Sequence, residues 1–252
     1  MKIKNVLISQ PKPADLEKSP YGDIIRKYQL NVDFYKFFKI EGLSSIDFRK
    51  ENKVRLTDFS AVIFTSKHSA DHFFRLASEL RTEIPETMKY FCSSEATAYY
   101  LQKYIQYRKR KIFFSGQELH DLVDVMRKHK TEKYLLPCSA EANNELSDLL
   151  DQHKITYSKA TMYRTVSEDM SFLDLSKYDL LVFFSPSGIK SLFRNFPDFV
   201  QGEKAIGVFG PTTATAAREA GLTITIEAPS ANAPSMAKAI EQHLAICNKN
   251  SK

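Results

Sequence analysis

Continuous apolar runs, each closed by a small polar turn and followed by apolar positions at helical spacing, recur along this chain. The clearest are Ala61-Val-Ile-Phe-Thr-Ser66 and Leu181-Val-Phe-Phe-Ser-Pro186. The first predicts a strand over Ala61 to Phe64, a cap at Thr65-Ser66 and a helix running toward Leu80. The second predicts a strand from Leu180 to Phe184, a turn at Ser185-Pro-Ser-Gly188 and a helix from Ile189 onward. The next segments also match: Tyr90-Phe-Cys-Ser-Ser-Glu-Ala-Thr-Ala98 and Ile206-Gly-Val-Phe-Gly-Pro-Thr-Thr-Ala214 each read as a short strand, a small-residue turn and a helix. Phe64 and Phe184 are 120 positions apart and Thr97 and Thr213 are 116 apart, so two landmarks share nearly one offset, as expected of an internal repeat. A looser third pair is Lys111-Ile-Phe-Phe-Ser-Gly116 with Thr223-Ile-Thr-Ile-Glu-Ala228.

Strand and helix patterns alternate elsewhere too. They predict a strand over Val6 to Ser9, a helix over Tyr21 to Gln29, a strand over Val32 to Phe38, a helix over Glu118 to Lys128, a strand at Lys133 to Pro137, a helix over Asn144 to Gln152 and a strand over Ile155 to Val166. Such alternation argues for an α/β fold of two lobes, each with a parallel sheet flanked by helices. The two long extended segments are natural crossings between lobes. That predicts a discontinuous domain of residues 1–36 plus 166–252, a domain of residues 42–158, and a two-stranded linker at 37–41 and 159–165. Polar turns at the carboxyl ends of both sheets would then face a cleft, offering hydroxyls and helix N-terminal amides to carboxylates or phosphates. Asn248 to Lys252 reads as a disordered tail.

Composition narrows the class. A length of 252 residues with 43% hydrophobic content supports two real cores. No apolar run is long enough to span a bilayer, and Met1 to Gln10 has too short an apolar stretch for a signal peptide, so a cytoplasmic protein with no membrane partner is expected. Cys92, Cys138 and Cys247 are widely spaced and suggest neither a disulfide framework nor a metal site. The net charge of +6 favours an anionic partner. The densest basic run, Arg108-Lys-Arg-Lys111 after Tyr104 and Tyr107, could serve a single-strand nucleic-acid binder, but one short cluster reads better as a solvated helix end entering a strand.

Candidate chemistry is sparse. His68 and His72 could share a helix face with Asp71 between them, but no third ligand stands out, and the better reading is a partly exposed helix face. His120, His129, His153 and His243 are scattered, with no nucleophile elbow nearby. Gly207 and Gly210 lack the glycine pattern of a dinucleotide site. Thr65, Ser66, Ser185, Ser187, Thr212 and Thr213 can cap helices or bind a ligand with the same hydroxyl geometry. Tyr163 stands on the second crossing, where a side chain can reach a cleft or pack as a strand aromatic.

Taken in order, Phe64-Thr-Ser66, Ser94-x-x-Thr-Ala98, Tyr163-Arg-Thr165, Phe184-Ser-Pro-Ser-Gly188, Gly210-Pro-Thr-Thr-Ala214 and Ala228-Pro-Ser230 resemble the uroporphyrinogen-III synthase family. The resemblance implies an enzyme that converts linear hydroxymethylbilane to uroporphyrinogen III, with loss of water and inversion of ring D, using no metal or organic cofactor. It implies two α/β lobes joined by a two-stranded ladder; since nothing in the sequence suggests an exposed assembly face, a monomer with no nucleic-acid partner is expected. By motif match Tyr163 would assist departure of the hydroxyl. Thr65, Ser66, Ser94, Thr97, Ser185, Ser187, Thr212 and Thr213 would bind the substrate's carboxylates. Two departures stand out: Ser9-Gln-Pro11 where the family has Thr-Arg-Pro, and Ser94 where it has glycine. The alternative function is a non-catalytic two-lobed binder of an anionic metabolite.

Overall fold

The computed structural model describes residues 3–116, 118–142 and 144–249. The chain opens with β1 (Asn5–Ile8), α1 (Pro20–Tyr28), β2 (Asn31–Phe34), β3 (Phe38–Gly42) and α2 (Ser45–Glu51). It continues through β4 (Ala61–Phe64), α3 (Lys67–Glu79), β5 (Lys89–Cys92), α4 (Glu95–Tyr100), β6 (Ile112–Phe114) and α5 (Leu119–Arg127). Then come β7 (Tyr134–Ser139), α6 (Glu145–Gln152), β8 (Tyr157–Ser167), β9 (Leu180–Phe183), α7 (Pro186–Asn195), β10 (Ala205–Phe209), α8 (Pro211–Glu219), β11 (Ile226–Ala228) and α9 (Met236–Lys249). The chain divides into two compact units, one formed by residues up to Lys39 and from Val166 onward, the other by Ile40–Thr165.

Among the described residues the first unit holds a five-stranded sheet in the order β11-β10-β9-β1-β2, with parallel pairing throughout. Its central strands β1, β9 and β10 are buried on both faces, which is why they read as unbroken apolar runs, while the edge strand β2 is partly exposed. Val6, Ile8, Leu180 and Val182 pack on one face with Ile24 of α1 and Ala237, Ile240 and Leu244 of α9. Leu7, Leu181, Phe183, Ile206 and Val208 pack on the other with Ile189 and Leu192 of α7 and Ala214 and Ala217 of α8.

The second unit repeats the plan with a six-stranded sheet, β3-β8-β7-β4-β5-β6, whose inner pairs are parallel. Phe48, Phe73, Leu76 and Ala98 cover one face against Val62, Phe64, Tyr90 and Leu135, and Leu122, Val123, Met126, Leu146 and Leu150 cover the other against Ile63, Phe91 and Leu136. Each fully buried Leu or Phe contributes about 1.5–3 kcal/mol relative to leaving it exposed. The α/β organisation with two helix-flanked parallel sheets is thus the one the pattern predicts.

Several local expectations change. The segment Val32 to Phe38 is not one strand: β2 ends at Phe34, and Phe37 is fully buried with its carbonyl accepting from Glu168 N–H at 2.9 Å and from the Ser191 hydroxyl. The strand expected over Ile155 to Val166 is β8, paired with β7 from Tyr157 to Tyr163. The second repeat helix starts at Pro186 instead of Ile189, because proline's fixed φ suits the first helical position and Ser185 Oγ accepts from Gly188 N–H at 3.2 Å. The run at Thr223 keeps only its last part as strand β11. Arg108 to Lys111 lie in a turn instead of a helix end, with Arg108 paired to Glu86. Helix α9 extends through Lys249, two residues into the expected tail, and 250–252 lie outside the described residues. Among the described residues no helix is long and apolar enough to cross a membrane.

Candidate functional site

Open parallel sheets bind ligands beyond the carboxyl ends of their strands, where the strand order reverses. In the first unit that reversal falls between β1 and β9, since β1 leads outward to β2 while β9 leads the other way through β10 to β11. In the second it falls between β4 and β7. Ser185 follows β9 and Ser9 follows β1 at the first of these points. Thr65 and Ser66 follow β4, and Ser139 ends β7, at the second.

The expected hydroxyls sort by their local roles. Ser66 caps α3 in a capping box: its Oγ accepts from Ser69 N–H at 3.2 Å while Ser69 Oγ accepts from Ser66 N–H at 3.2 Å. Thr65 beside it is exposed. Ser94 caps α4, accepting from Thr97 N–H at 3.2 Å, and shares a 3.0 Å hydrogen bond with Thr97 Oγ1. Thr97 and Thr213, aligned in the repeat, are each the third residue of their helix and are 5% and 1% exposed. Ser185 caps α7, with Ser187 half-buried in the first turn, and Thr212 is exposed on α8. Gly210 precedes α8 at φ +88°, a conformation that glycine alone adopts without strain. With no side chain to cap it, α8 presents its first amides uncovered by a side-chain acceptor.

Across the second unit the residues just past three neighbouring strands are tied together. Ser115 Oγ donates to the Ser93 carbonyl at 2.5 Å, and Ser93 Oγ donates to the Thr65 carbonyl at 3.0 Å. This ladder fixes the turn that carries Ser66.

Tyr163 is a strand aromatic of the second unit, 8% exposed and packed with the core that includes Phe64 and Met162. Of the two readings that its position on the crossing strand left open, the ring packs here as the strand aromatic. The cause is a register shift: Cys138 pairs with Thr161 but Ser139 pairs with Tyr163, so β8 holds one extra residue and turns Tyr163 onto the face that Ala160 and Met162 already occupy. Burial raises its phenol above the ordinary range, nearby Glu141 and Cys138 add to that, and hydrogen bonding with Ser66 opposes it. Glu141 Oε2 accepts from Ser139 Oγ at 2.6 Å and from Thr165 N–H at 2.9 Å, holding the turn after β7 against the segment after Tyr163.

The structure brings Thr65, Ser66, Ser94, Thr97 and Tyr163 into the second unit, and Ser185, Ser187, Thr212 and Thr213 into the first. Sequence reasoning missed Ser93, Ser115 and Glu141 beside the second unit's turns. Ser93 and Ser115 stood within the quoted repeats, one place after each strand, and that spacing could have found them. His68 is exposed and His72 half-buried, and among the described residues no group of three His, Cys, Asp or Glu side chains could hold a metal ion.

Known proteins share this organisation. The family model described as uroporphyrinogen-III synthase HemD matches residues 20–238. The chain is similar in structure to uroporphyrinogen-III synthetase from Helicobacter pylori, at 20% identity and a TM-score of 0.60 over 97% of this chain and 100% of that one. It is also similar to a mutant uroporphyrinogen III synthase from the extremely thermophilic bacterium Thermus thermophilus, at 12% identity and a TM-score of 0.57 over 96% of this chain and 99% of that one. At such identities these two likenesses speak for the fold. Comparison with curated proteins gives no sequence match. Because the family match runs through both repeats, from α1 into α9, the chain belongs to the uroporphyrinogen-III synthase family.

Proposed function

We propose that this chain cyclises hydroxymethylbilane to uroporphyrinogen III, with loss of water and inversion of ring D. The observation that carries this reading is the family match over residues 20–238. The alternative of a non-catalytic binder has no comparable support.

The chemistry asks for little reactivity and much positioning. Loss of the substrate's terminal hydroxyl leaves a cation, and the enzyme must steer it to the substituted carbon of ring D ahead of simple head-to-tail closure. Holding reacting groups in such an orientation can contribute up to about 7–11 kcal/mol. A polycarboxylate suits the helix N-termini at the carboxyl ends of both sheets, where Ser66, Ser185 and Thr212 offer hydroxyls and α8 offers amides. A net charge of +6 acts in the same sense over longer range.

Tyr163 is assigned the departing hydroxyl. Its raised phenol stays protonated at neutral pH and can donate to that oxygen. Its ring belongs to the buried cluster of the second unit that also holds Phe64 and Met162. The monomeric state, the cytoplasmic location and the lack of a nucleic-acid partner belong to the same reading.

The test uses freshly generated hydroxymethylbilane, with the product isomers separated after oxidation. The chain is expected to yield the type III isomer, and Tyr163→Phe to lower its turnover about 10²-fold with folding intact. Only the type I isomer at the uncatalysed rate would reject the function, and normal turnover in Tyr163→Phe would remove Tyr163 from it.

A further inference from the structure

The Tyr163 ring has a partner that the capping pattern does not reveal. His72, on α3, stacks on it with ring centroids 4.8 Å apart and planes inclined by 21°. The far edge of the imidazole is also held. Arg75 Nε donates to His72 Nδ1 at 3.3 Å, which assigns the lone pair to Nδ1 and the proton to Nε2. Arg75 is itself fixed, donating to Glu79 Oε1 at 2.5 Å and to the Leu43 carbonyl at 2.8 Å. Behind it lies the end of β3: a Cβ on Gly42 would sit 2.5 Å from Arg75 Nη2 and 2.7 Å from His72 Nδ1. The imidazole is thus confined between the phenol ring on one side and a guanidinium and bare backbone on the other.

We propose that His72 is a positioning residue for Tyr163, setting the orientation of the phenol ring through this stack. The proposal rests on the catalytic reading of Tyr163 given above. A proton on Nδ1 would have to face the Arg75 guanidinium, so protonation breaks that contact and releases the ring.

The charged and titratable groups around His72 are His68, Asp71 and Arg75 on its own helix and Tyr163 on β8, and β3 approaches it at Gly42. Burial, Arg75 and His68 push the imidazole below its ordinary value, with Asp71 opposing. The neutral form therefore persists through neutral pH, and turnover falls on the acid side as His72 charges.

Two variants and one spectroscopic signal test this. His72→Ala is expected to lower kcat about tenfold with KM within about twofold, the mark of lost orientation without lost binding. His72→Phe keeps a stacking ring without a proton, and should restore kcat to within about threefold of the unchanged chain and flatten the acid limb. In tyrosine labelled with 13C at Cζ, the Tyr163 resonance, identified by its loss in Tyr163→Phe, should follow the titration of His72 and cease to do so in His72→Phe. An unmoved Tyr163 resonance in His72→Ala, or an acid limb that persists in His72→Phe, would overturn the proposal. Normal turnover in Tyr163→Phe rejects the catalytic reading of Tyr163 separately, while the resonance still decides for or against the His72 contact.

Discussion

Ser185 is assigned two roles, capping α7 and binding substrate, and substitution can separate them. Its backbone is extended, at φ −157° and ψ 155°, and its Oγ accepts from Gly188 N–H at 3.2 Å. Ser185→Ala removes the acceptor and leaves that amide without a side-chain cap, a loss of about 1 kcal/mol. Ser185→Gly costs only about a few tenths of a kcal/mol, because glycine is itself a tolerated N-cap. For a chain of this size about 1 kcal/mol corresponds to a fall of about 2–4 °C in Tm. A hydroxyl bonded to a substrate carboxylate contributes about 1.5 kcal/mol or more, which is about tenfold in KM. Thermal melting followed by circular dichroism, paired with isomer-resolved kinetics, reads both. Ser185→Ala should lose Tm and raise KM, whereas Ser185→Gly should raise KM with Tm nearly unchanged. A native KM in Ser185→Gly would show that the hydroxyl only caps, and equal Tm losses in the two variants would refute the capping assignment.

Two further outcomes are expected from the second unit and from the histidines. Asn52 acts as a substitute strand for β8: its Nδ2 donates to the Thr161 carbonyl at 3.0 Å and its Oδ1 accepts from Thr161 N–H at 2.8 Å. Asn52→Ala should cost about 1–3 kcal/mol in urea unfolding, and a loss below about 0.5 would show that water replaces it fully. Burial depresses the imidazoles of His72, His129 and His243, aided by Arg75 at the first and Lys89 at the second. The unfolded chain then binds more protons than the folded one, so this stability is complete above about pH 6.5 and is lost as pH falls through the lower folded values. The urea midpoint should drop between about pH 7.5 and about pH 5.5, and a rise over that interval would contradict the sign.

Much of the candidate site was readable because capping is local. Ser66, Ser94 and Ser185 each stand where an apolar run ends and an amphipathic period begins, and each caps the helix behind it. The break between β2 and β3 was not readable, because Val32 to Phe38 is apolar enough for a strand throughout. Phe37 leaves the first sheet because its carbonyl meets Glu168 and Ser191, both far along the chain. The side on which Tyr163 lies was equally hidden. Strict alternation from Ala160 and Met162 would turn it to the opposite face, and only the irregular pairing of β8 with β7 reverses that.

The amino-acid sequence by itself determined the strands that are buried on both faces, the helices capped behind them, the repeat and the family, since each depends on neighbours a few residues apart or on residue order. The tertiary structure alone decided that Tyr163 shares a face with Met162, that His72 lies against its ring, and that Ser115 and Ser93 brace the turn at Thr65. Those contacts join elements distant along the chain, and their geometry is set by sheet register and close packing, which no local pattern encodes.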